Sequence, residues 1–441
     1  MSEAKKEFMK NSLFSYLGKF APIIFSFIYT IILAEALGAN DYGLFTYLTA
    51  IGVGFLNLFG SNFLYEILSN FTAQSGSRRL FKIILSMQFL LTTAVFIGLI
   101  IFGNDFLAGM NGSSTLIVLI ALALIFFNPL ISSFEGLYEG AGKFGRPFVG
   151  ILAEHLVNLG MIIFFVHFMG LGLMGALIAK YISLGFHVFV YFIYYRKMVF
   201  KEKPIEMKVV KKYFFSGIGG EFVSQLGSQI NTVAMGFISP AVLGVYYIAD
   251  KICSIALGAP SSSTIEVIAQ SNSSNFADKK KIEKYTSLST KVAFFIVVIF
   301  SVLLFFLAYP LLAIFFPKYV DGIVFIPLLA IEKYFKSLDS VKTILISLNK
   351  AADMTIQKTI CTSAMIASII ILVPVLGLGI LGLIIARVIT VATSVVSGYV
   401  MVRRHGIKID LVPRKSDAIF VYNEGKMIFS SIMARIFQKK K

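Results

Sequence analysis

Long apolar runs, separated by short polar stretches, follow one another along the whole chain. Each run has about 20 residues or more, the length that a helix needs to cross the apolar part of a bilayer. Hydrophobicity does not alternate within the runs as it does in barrel strands, so only helices can satisfy the backbone in lipid. The sequence therefore predicts an all-α polytopic membrane protein. Its twelve spans lie near residues 12–36, 43–69, 80–103, 115–139, 147–168, 173–196, 212–238, 243–269, 286–315, 322–348, 355–375 and 379–402.

Basic residues outside these runs fall in every second loop. The N-terminus, the loops after the even-numbered spans and the C-terminal tail contain lysine and arginine, whereas Lys318 is the single basic residue in the other loops. Because basic loops remain on the cytoplasmic side, we expect a protein of the cell membrane with both termini in the cytoplasm. The outer loops are too short for a catalytic site, so no catalytic residues and no enzyme are predicted.

Composition excludes further classes of function. Of the 441 residues, 57% are hydrophobic and 14% are charged, whereas soluble domains have about 25% charged residues. The net charge of +17 comes with a concentration of basic residues in the cytoplasmic loops, so no nucleic-acid partner is expected. Histidines and cysteines lack metal-site spacing, and no phosphate-binding loop of an ATPase is present. Neither a metal nor another cofactor is predicted.

A glycine pattern occurs twice at a constant offset of 207 residues. The segment Val166–Ser183 contains GLGxxGxxxA[KR]xI[ST], and Val373–Thr390 contains the same pattern. At an offset of 201 residues, Gly43 matches Gly244. A repeat unit with an even number of spans enters the membrane from the same side in both copies, as in transporters built from parallel repeats.

The two copies are joined by a basic stretch, Arg196–Lys212. The sequence thus predicts an N-lobe over residues 1–200 with six spans and a C-lobe over residues 201–405 with the other six. Residues 406–441 form a cytoplasmic tail with an apolar stripe between Ile428 and Phe437. This stripe indicates an in-plane amphipathic helix, and a loosely ordered solubilising tail is equally compatible with it.

Two segments, one at the end of span 1 and one at the start of span 8, resemble a known group of transporters. Leu33–Tyr47, LAEALGANDYGLFTY, and Leu243–Lys251, LGVYYIADK, together with the GLGxxG turns, resemble the polysaccharide-export branch of the multidrug/oligosaccharidyl-lipid/polysaccharide (MOP) exporter superfamily. The resemblance covers roughly residues 8–405. It implies two six-helix lobes in a MATE-like V shape and a cavity lined by helices 1, 2, 7 and 8. It also implies substrates on polyprenyl phosphate or diphosphate carriers.

Two lysines within the spans have no charged counterpart in the other copy. A charge near the bilayer centre costs about 2.5–3.5 kcal/mol, and a charge that one copy lacks is not required by the shared fold. Lys19 lies in span 1 and Lys251 in span 8, on helices that the resemblance places around the cavity. They are candidate ligands for a carrier's phosphate. The alternative is internal pairing, of Lys19 with Glu221 and of Lys251 with Asp250.

Other polar residues of the spans supply further candidates. Those predicted to line the cavity, and to bind sugar or water, are Ser26, Tyr29, Glu221, Gln225, Ser228, Asn231 and Asp250. In span 10, Glu332, Lys336 and Asp339 form a charged ladder at helical spacing. The ladder is either a route for a coupling ion, Na⁺ or H⁺, or a self-neutralising seam.

Charges that occur in both copies are predicted to stabilise the shared fold. Lys180 and Arg387 match each other at the offset of 207, so a structural role is predicted for both. Glu135, Glu139 and Glu154, near the inner ends of spans 4 and 5, are expected to form local ion pairs with Lys143 or Arg146.

These features favour a flippase that moves a lipid-linked oligosaccharide from the cytoplasmic to the outer leaflet by alternating access. Its partners would be membrane lipid and this substrate, and it is expected to act as a monomer. The alternative is an ion-coupled multidrug exporter of the same superfamily. Cation exporters that resemble this chain often have a carboxylate in the first helix, where this sequence has Lys19.

Overall fold

The computed structural model describes residues 3–75, 78–109, 115–141, 143, 145–198, 200, 207–258, 279–339, 344–345 and 351–410, with side chains of the first helix from Ile23 onward. The regular structure in these residues is helical. The α-helices are α1 (Glu3–Leu58), α2 (Ser61–Ser75), α3 (Arg78–Gly109), α4 (Thr115–Ala123), α5 (Phe127–Gly140), α6 (Gly145–Ile162), α7 (Gly172–Arg196), α8 (Met207–Met235), α9 (Pro240–Cys253), α10 (Lys279–Phe315), α11 (Ile326–Leu338), α12 (Ala351–Ile370) and α13 (Gly379–Arg404). Within the described part of the chain, nine helical stretches are long and apolar enough to cross a membrane. The protein is a multi-pass membrane protein.

Glycine and proline determine where the predicted spans are interrupted. Gly38 has φ 71° and ψ 174°, a conformation that glycine adopts without steric cost, and it divides α1 into two spans. Gly60 has φ 96°, so the predicted span 43–69 is broken there into the end of α1 and α2. Pro129 has no N–H to donate, and the chain forms a tighter 3₁₀ turn over Leu124–Phe126 just before it.

The two glycine motifs have the same backbone conformation. Gly170 and Gly172 have φ of 64° and 52°, and their counterparts Gly377 and Gly379 have φ of 65° and 50°. Two left-handed residues so close together require glycine, because a Cβ would clash with the backbone. The repeated sequence therefore encodes a repeated turn.

A π-helical segment precedes this turn in both copies. It ends with a backbone hydrogen bond of 3.0 Å from Met169 N to Phe164 O in the first copy, and of 3.0 Å from Leu376 N to Ile371 O in the second. These bonds correspond residue for residue at the offset of 207. The agreement supports the repeat in the geometry of the chain as well as in its sequence.

Gly43 and Gly244, matched at the offset of 201, face each other where α1 and α9 cross. A Cβ on Gly43 would lie 1.9 Å from Pro240 O, and a Cβ on Gly244 would lie 2.1 Å from Ala39 O. Ala39 and Pro240 also match at this offset, so both copies contribute the same two positions. Small residues allow such close approach of helices in membranes, and a reciprocal contact is characteristic of symmetry-related copies.

The chain divides into two compact units. Unit 1 consists of Met1–Lys251, Pro310–Val324 and Met365–Leu383, and unit 2 consists of Ile252–Tyr309, Phe325–Ala364 and Ile384–Lys441. The predicted lobe boundary near residue 200 stays a prediction. The predicted tail helix lies outside the described residues.

Buried tyrosines join α5 and α7 in unit 1. Tyr138 of α5 donates a 2.5 Å hydrogen bond to Tyr191 O of α7. Tyr191 OH in turn donates a 3.0 Å bond to Glu135 Oε1 of α5. Hydrogen-bonded polar groups in an apolar core specify one packing arrangement, so these bonds define the position of α7 against α5.

Candidate functional site

Lys251, in the last turn of α9, reaches Ser26 of α1. Its ammonium donates a hydrogen bond to Ser26 Oγ, and of the side chains that the structure describes, Ser26 is the one that binds it. Ser26 is 7% exposed, and Thr30 Oγ1 donates a 2.6 Å bond to its carbonyl oxygen. The partner of Lys251 among the described side chains is thus a neutral hydroxyl. The alternative interpretation, in which Lys251 pairs with Asp250, predicts a carboxylate instead.

Tyr29 and His155 extend this contact from α1 to α6. Ser26 Oγ lies 3.4 Å from Tyr29 OH. The Tyr29 ring stacks on the His155 ring, with centroids 6.3 Å apart and planes at 19°. His155 Nδ1 is buried without a hydrogen-bond partner among the described residues. Lys251, Ser26, Tyr29 and His155 therefore form a continuous line of polar groups across three helices.

Glu154, next to His155 on α6, binds two basic side chains of α7. Lys180 Nζ lies 2.7 Å from Glu154 Oε1, and His187 Nδ1 lies 2.7 Å from Oε2. Lys180 and His187 are seven residues apart, which places both on one face of the helix. The side chain of Lys180 is 29% exposed, that of Glu154 12% and that of His187 2%.

The sequence-based pairing of Glu154 with Lys143 or Arg146 is wrong. Arg146 lies over the Tyr138 ring, 5.2 Å from its centroid, and donates a 3.4 Å bond to Tyr194 O. The prediction relied on proximity along the chain. In the structure, Glu154 points from α6 towards α7 rather than towards the loop that precedes α6.

Two further charged candidates are Lys19 and Asp250. Lys19 lies within helix α1, but its side chain is outside the described residues, so its role stays a prediction. Asp250 is half-buried on α9, and its role as a lining residue also stays a prediction.

The polar stripe predicted in span 7 lies on one helix, α8, which carries Glu221, Gln225, Ser228 and Asn231. Gln225 Nε2 donates a 2.8 Å bond to Glu221 Oε1. Ser228 is exposed, whereas Asn231 is buried. Sequence reasoning missed Gln229, which is buried and whose Oε1 occupies the space at Gly54, 2.2 Å from where a Cβ would be. A glycine facing a polar stripe is the signal that could have indicated it.

In unit 2, two charged residues of the predicted span 10, Glu332 and Asp339, bind side chains of α13. Glu332 is 4% exposed, and Arg387 lies 2.9 Å from its Oε1 and 2.8 Å from its Oε2. Asp339 Oδ1 accepts a 2.6 Å hydrogen bond from Ser394 Oγ, while Lys336 is exposed. These contacts across helices are compatible with the seam and with the coupling route, so the role of the ladder stays a prediction.

The geometry of unit 1 is suited to binding an anion. Lys251 supplies an ammonium, and Ser26 and Tyr29 supply hydroxyl groups that can donate to phosphate oxygens. In the described ranges, no three His, Cys, Asp or Glu side chains lie close enough together to hold a metal ion.

Comparison of the sequence with known proteins gave one family. A protein-family model described as polysaccharide biosynthesis protein matches residues 8–269. A search of curated proteins found no match.

Solved structures similar to this chain are membrane transporters. One is the lipid II flippase MurJ in an inward closed conformation, with TM-score 0.68, 18% identity, and coverage of 96% of this chain and 92% of that chain. Another is a multidrug resistance MATE family transporter of the MOP superfamily in an outward-facing conformation, with TM-score 0.66, 16% identity, and coverage of 93% and 98%. A third is a MOP superfamily transporter from Pyrococcus furiosus whose binding pocket has reverse polarity, with TM-score 0.66, 15% identity, and coverage of 92% and 96%.

At these identities the likeness shows the fold. It confirms the predicted class, an all-α membrane protein with twelve spans in two six-helix lobes related by a parallel repeat.

Proposed function

Because the chain belongs to the family of polysaccharide biosynthesis proteins, we propose that it is a flippase for a lipid-linked oligosaccharide. It moves the substrate, carried on a polyprenyl phosphate or diphosphate, from the cytoplasmic to the outer leaflet of the cell membrane for polysaccharide or glycan assembly. It acts by alternating access as a monomer with both termini in the cytoplasm, and it is a transporter rather than an enzyme.

The observation that carries this proposal is the contact of Lys251 with Ser26. A lysine whose described partner is a neutral hydroxyl is available to an incoming anion at once, whereas a lysine within an ion pair must first exchange its carboxylate. Lysine suits phosphate because its ammonium is a compact charge on a flexible stem. Lys19 remains a candidate phosphate ligand of the same proposed cavity. The other polar residues proposed to line it are Glu221, Gln225, Ser228, Asn231 and Asp250.

A multidrug exporter is the second candidate, because MATE transporters share the fold. An ammonium in the binding site disfavours the cationic substrates that such an exporter would carry. Transport of either kind would be coupled to Na⁺ or H⁺, and Glu332, Lys336 and Asp339 are the candidate residues for this coupling. Removing Na⁺, or collapsing the pH gradient, during a transport measurement would separate the two ions.

Depletion of the protein in its native host, followed by lipid analysis, tests the proposed function. We expect lipid-linked oligosaccharide to accumulate on the cytoplasmic leaflet, protected from a glycosidase added outside the cell, and to return to the outer leaflet when the gene is restored. Unchanged glycolipids together with altered drug sensitivity would favour the multidrug exporter instead.

A further inference from the structure

Glu154 is a carboxylate that the repeat does not require. The cation it binds, Lys180, has a counterpart in Arg387, and both matched cations bind a carboxylate. The carboxylates come from helices that do not correspond, because the position that matches Glu154 is Cys361. Both copies thus have a cation at the matched position of Lys180 and Arg387, whereas the carboxylate of Glu154 has no counterpart in the second copy.

Lys180 is also the more accessible of the two matched cations. Its side chain is 29% exposed, against 18% for Arg387. Arg387 lies within 3 Å of both oxygens of Glu332, whereas Lys180 forms one short contact with Glu154 and leaves the second oxygen to His187. Glu154 therefore keeps a partner if Lys180 turns away.

Lys180 and Lys251 are connected through neighbouring residues of α6 and α1. Lys180 binds Glu154, the residue before His155 in α6, and the Tyr29 ring stacks on the His155 ring. Tyr29 itself is linked to Lys251 through Ser26. An anion bound to Lys251 beside these rings would thus be close to the second lysine.

We propose that Lys180 is a second ligand for the substrate's phosphate groups, and that Glu154 binds it until the substrate replaces this carboxylate. A dianionic or trianionic diphosphate attracts an ammonium more strongly than one carboxylate does, and it is long enough to contact two cations. The site then prefers a diphosphate carrier to a monophosphate. This inference rests on the proposed function and specifies its substrate class.

Binding of farnesyl diphosphate and farnesyl monophosphate to the purified full-length protein in nanodiscs tests the inference. We expect Glu154→Gln to bind the diphosphate about tenfold more tightly than the wild type, because the competing charge is gone. Lys180→Gln should bind it about tenfold more weakly and lose most of the preference over the monophosphate. Glu135→Gln, which removes a carboxylate bound to Tyr191, is the control and should bind as the wild type does.

If the Glu154–Lys180 pair has only a structural role, the binding measurements give a different result. Glu154→Gln would then bind the diphosphate no more tightly than the wild type, and this result overturns the inference. Equal tightening in Glu135→Gln also overturns it, because a general field effect would be responsible. If Glu154→Gln does not fold, as judged by gel filtration, the ratio of the two affinities in Lys180→Gln decides.

Lys251→Gln separates this inference from the proposed function. If the wild type binds neither ligand, or if Lys251→Gln binds both as the wild type does, the phosphate site of the proposed function fails. If Lys251→Gln weakens both ligands while Glu154→Gln tightens neither, only the role of Lys180 is wrong.

Discussion

A single lysine, Lys251, best connects the residues of this chain to its chemistry. Its position in a span costs free energy, about 2.5–3.5 kcal/mol near the bilayer centre. In the described structure its ammonium binds the hydroxyl of Ser26, a partner that stabilises the charge without neutralising it. A site for a phosphate group requires this kind of residual charge.

Replacing Lys251 by Gln should reduce transport of the lipid-linked substrate at least tenfold, because glutamine keeps a donor for Ser26 but carries no charge. Lys251→Arg should retain a part of the activity. Lys82→Gln, which alters an exposed lysine near the start of α3, is the matched control and should transport normally. The measurement is the flipping rate in proteoliposomes, and normal transport by Lys251→Gln would sink the phosphate-site hypothesis.

At the level of single residues, the structure brings together part of the candidate site that the sequence predicts. Ser26, Tyr29 and Lys251, all predicted, are brought together by α1 and α9. His155 and Glu154, which lie beside these groups, were not among the predicted candidates, because the resemblance did not place span 5 at the cavity. Whether a polar side chain of α6 points towards α1 or towards lipid depends on the rotation of the helix, which side chains from distant segments determine.

At the scale of elements, glycines define the repeated turn after each π-helical segment. The two copies agree in φ within a few degrees, although the residues around the glycines differ. The turn is therefore a property of the glycine pattern and not of its surroundings, and each copy can be altered separately.

Substituting alanine for Gly170 or for its counterpart Gly377 should lower stability by about 1–2 kcal/mol in each case, the cost of a left-handed L residue. Neither position has a neighbour within 4 Å of a Cβ, so the cost is conformational and should be equal in the two copies. Gly160→Ala, in a helix and also with open space around it, is the control. The midpoint of thermal unfolding in detergent reports the difference, and a Gly160→Ala variant as unstable as the other two would contradict this explanation.

At the scale of the whole molecule, the resemblance to the MOP exporter superfamily is confirmed. The family match over residues 8–269 and the structures of MATE and MurJ transporters agree on it. The orientation in the membrane is a separate matter, since a fold by itself has no inside and outside. It stays a prediction, made from the basic loops alone.

Cysteine labelling of the intact membrane checks this orientation. In a background with Cys253→Ala and Cys361→Ala, Lys318→Cys should react with a membrane-impermeant maleimide added to whole cells, because Lys318 is exposed and lies in an outer loop of the predicted topology. Lys82→Cys should react only after the cells are permeabilised. The reverse pattern would place both termini outside.

The sequence by itself determined the spans, the two-copy repeat and the superfamily. The length of an apolar run, the charge of a loop and the spacing of glycines are properties of continuous segments, and water, lipid and backbone sterics act on them locally. Only the tertiary structure decided which polar groups meet: Lys251 with Ser26, and Lys180 and His187 with Glu154. The physical reason is that the rotation of each helix about its axis depends on packing against helices distant in the chain, and this rotation directs every buried charge to its partner.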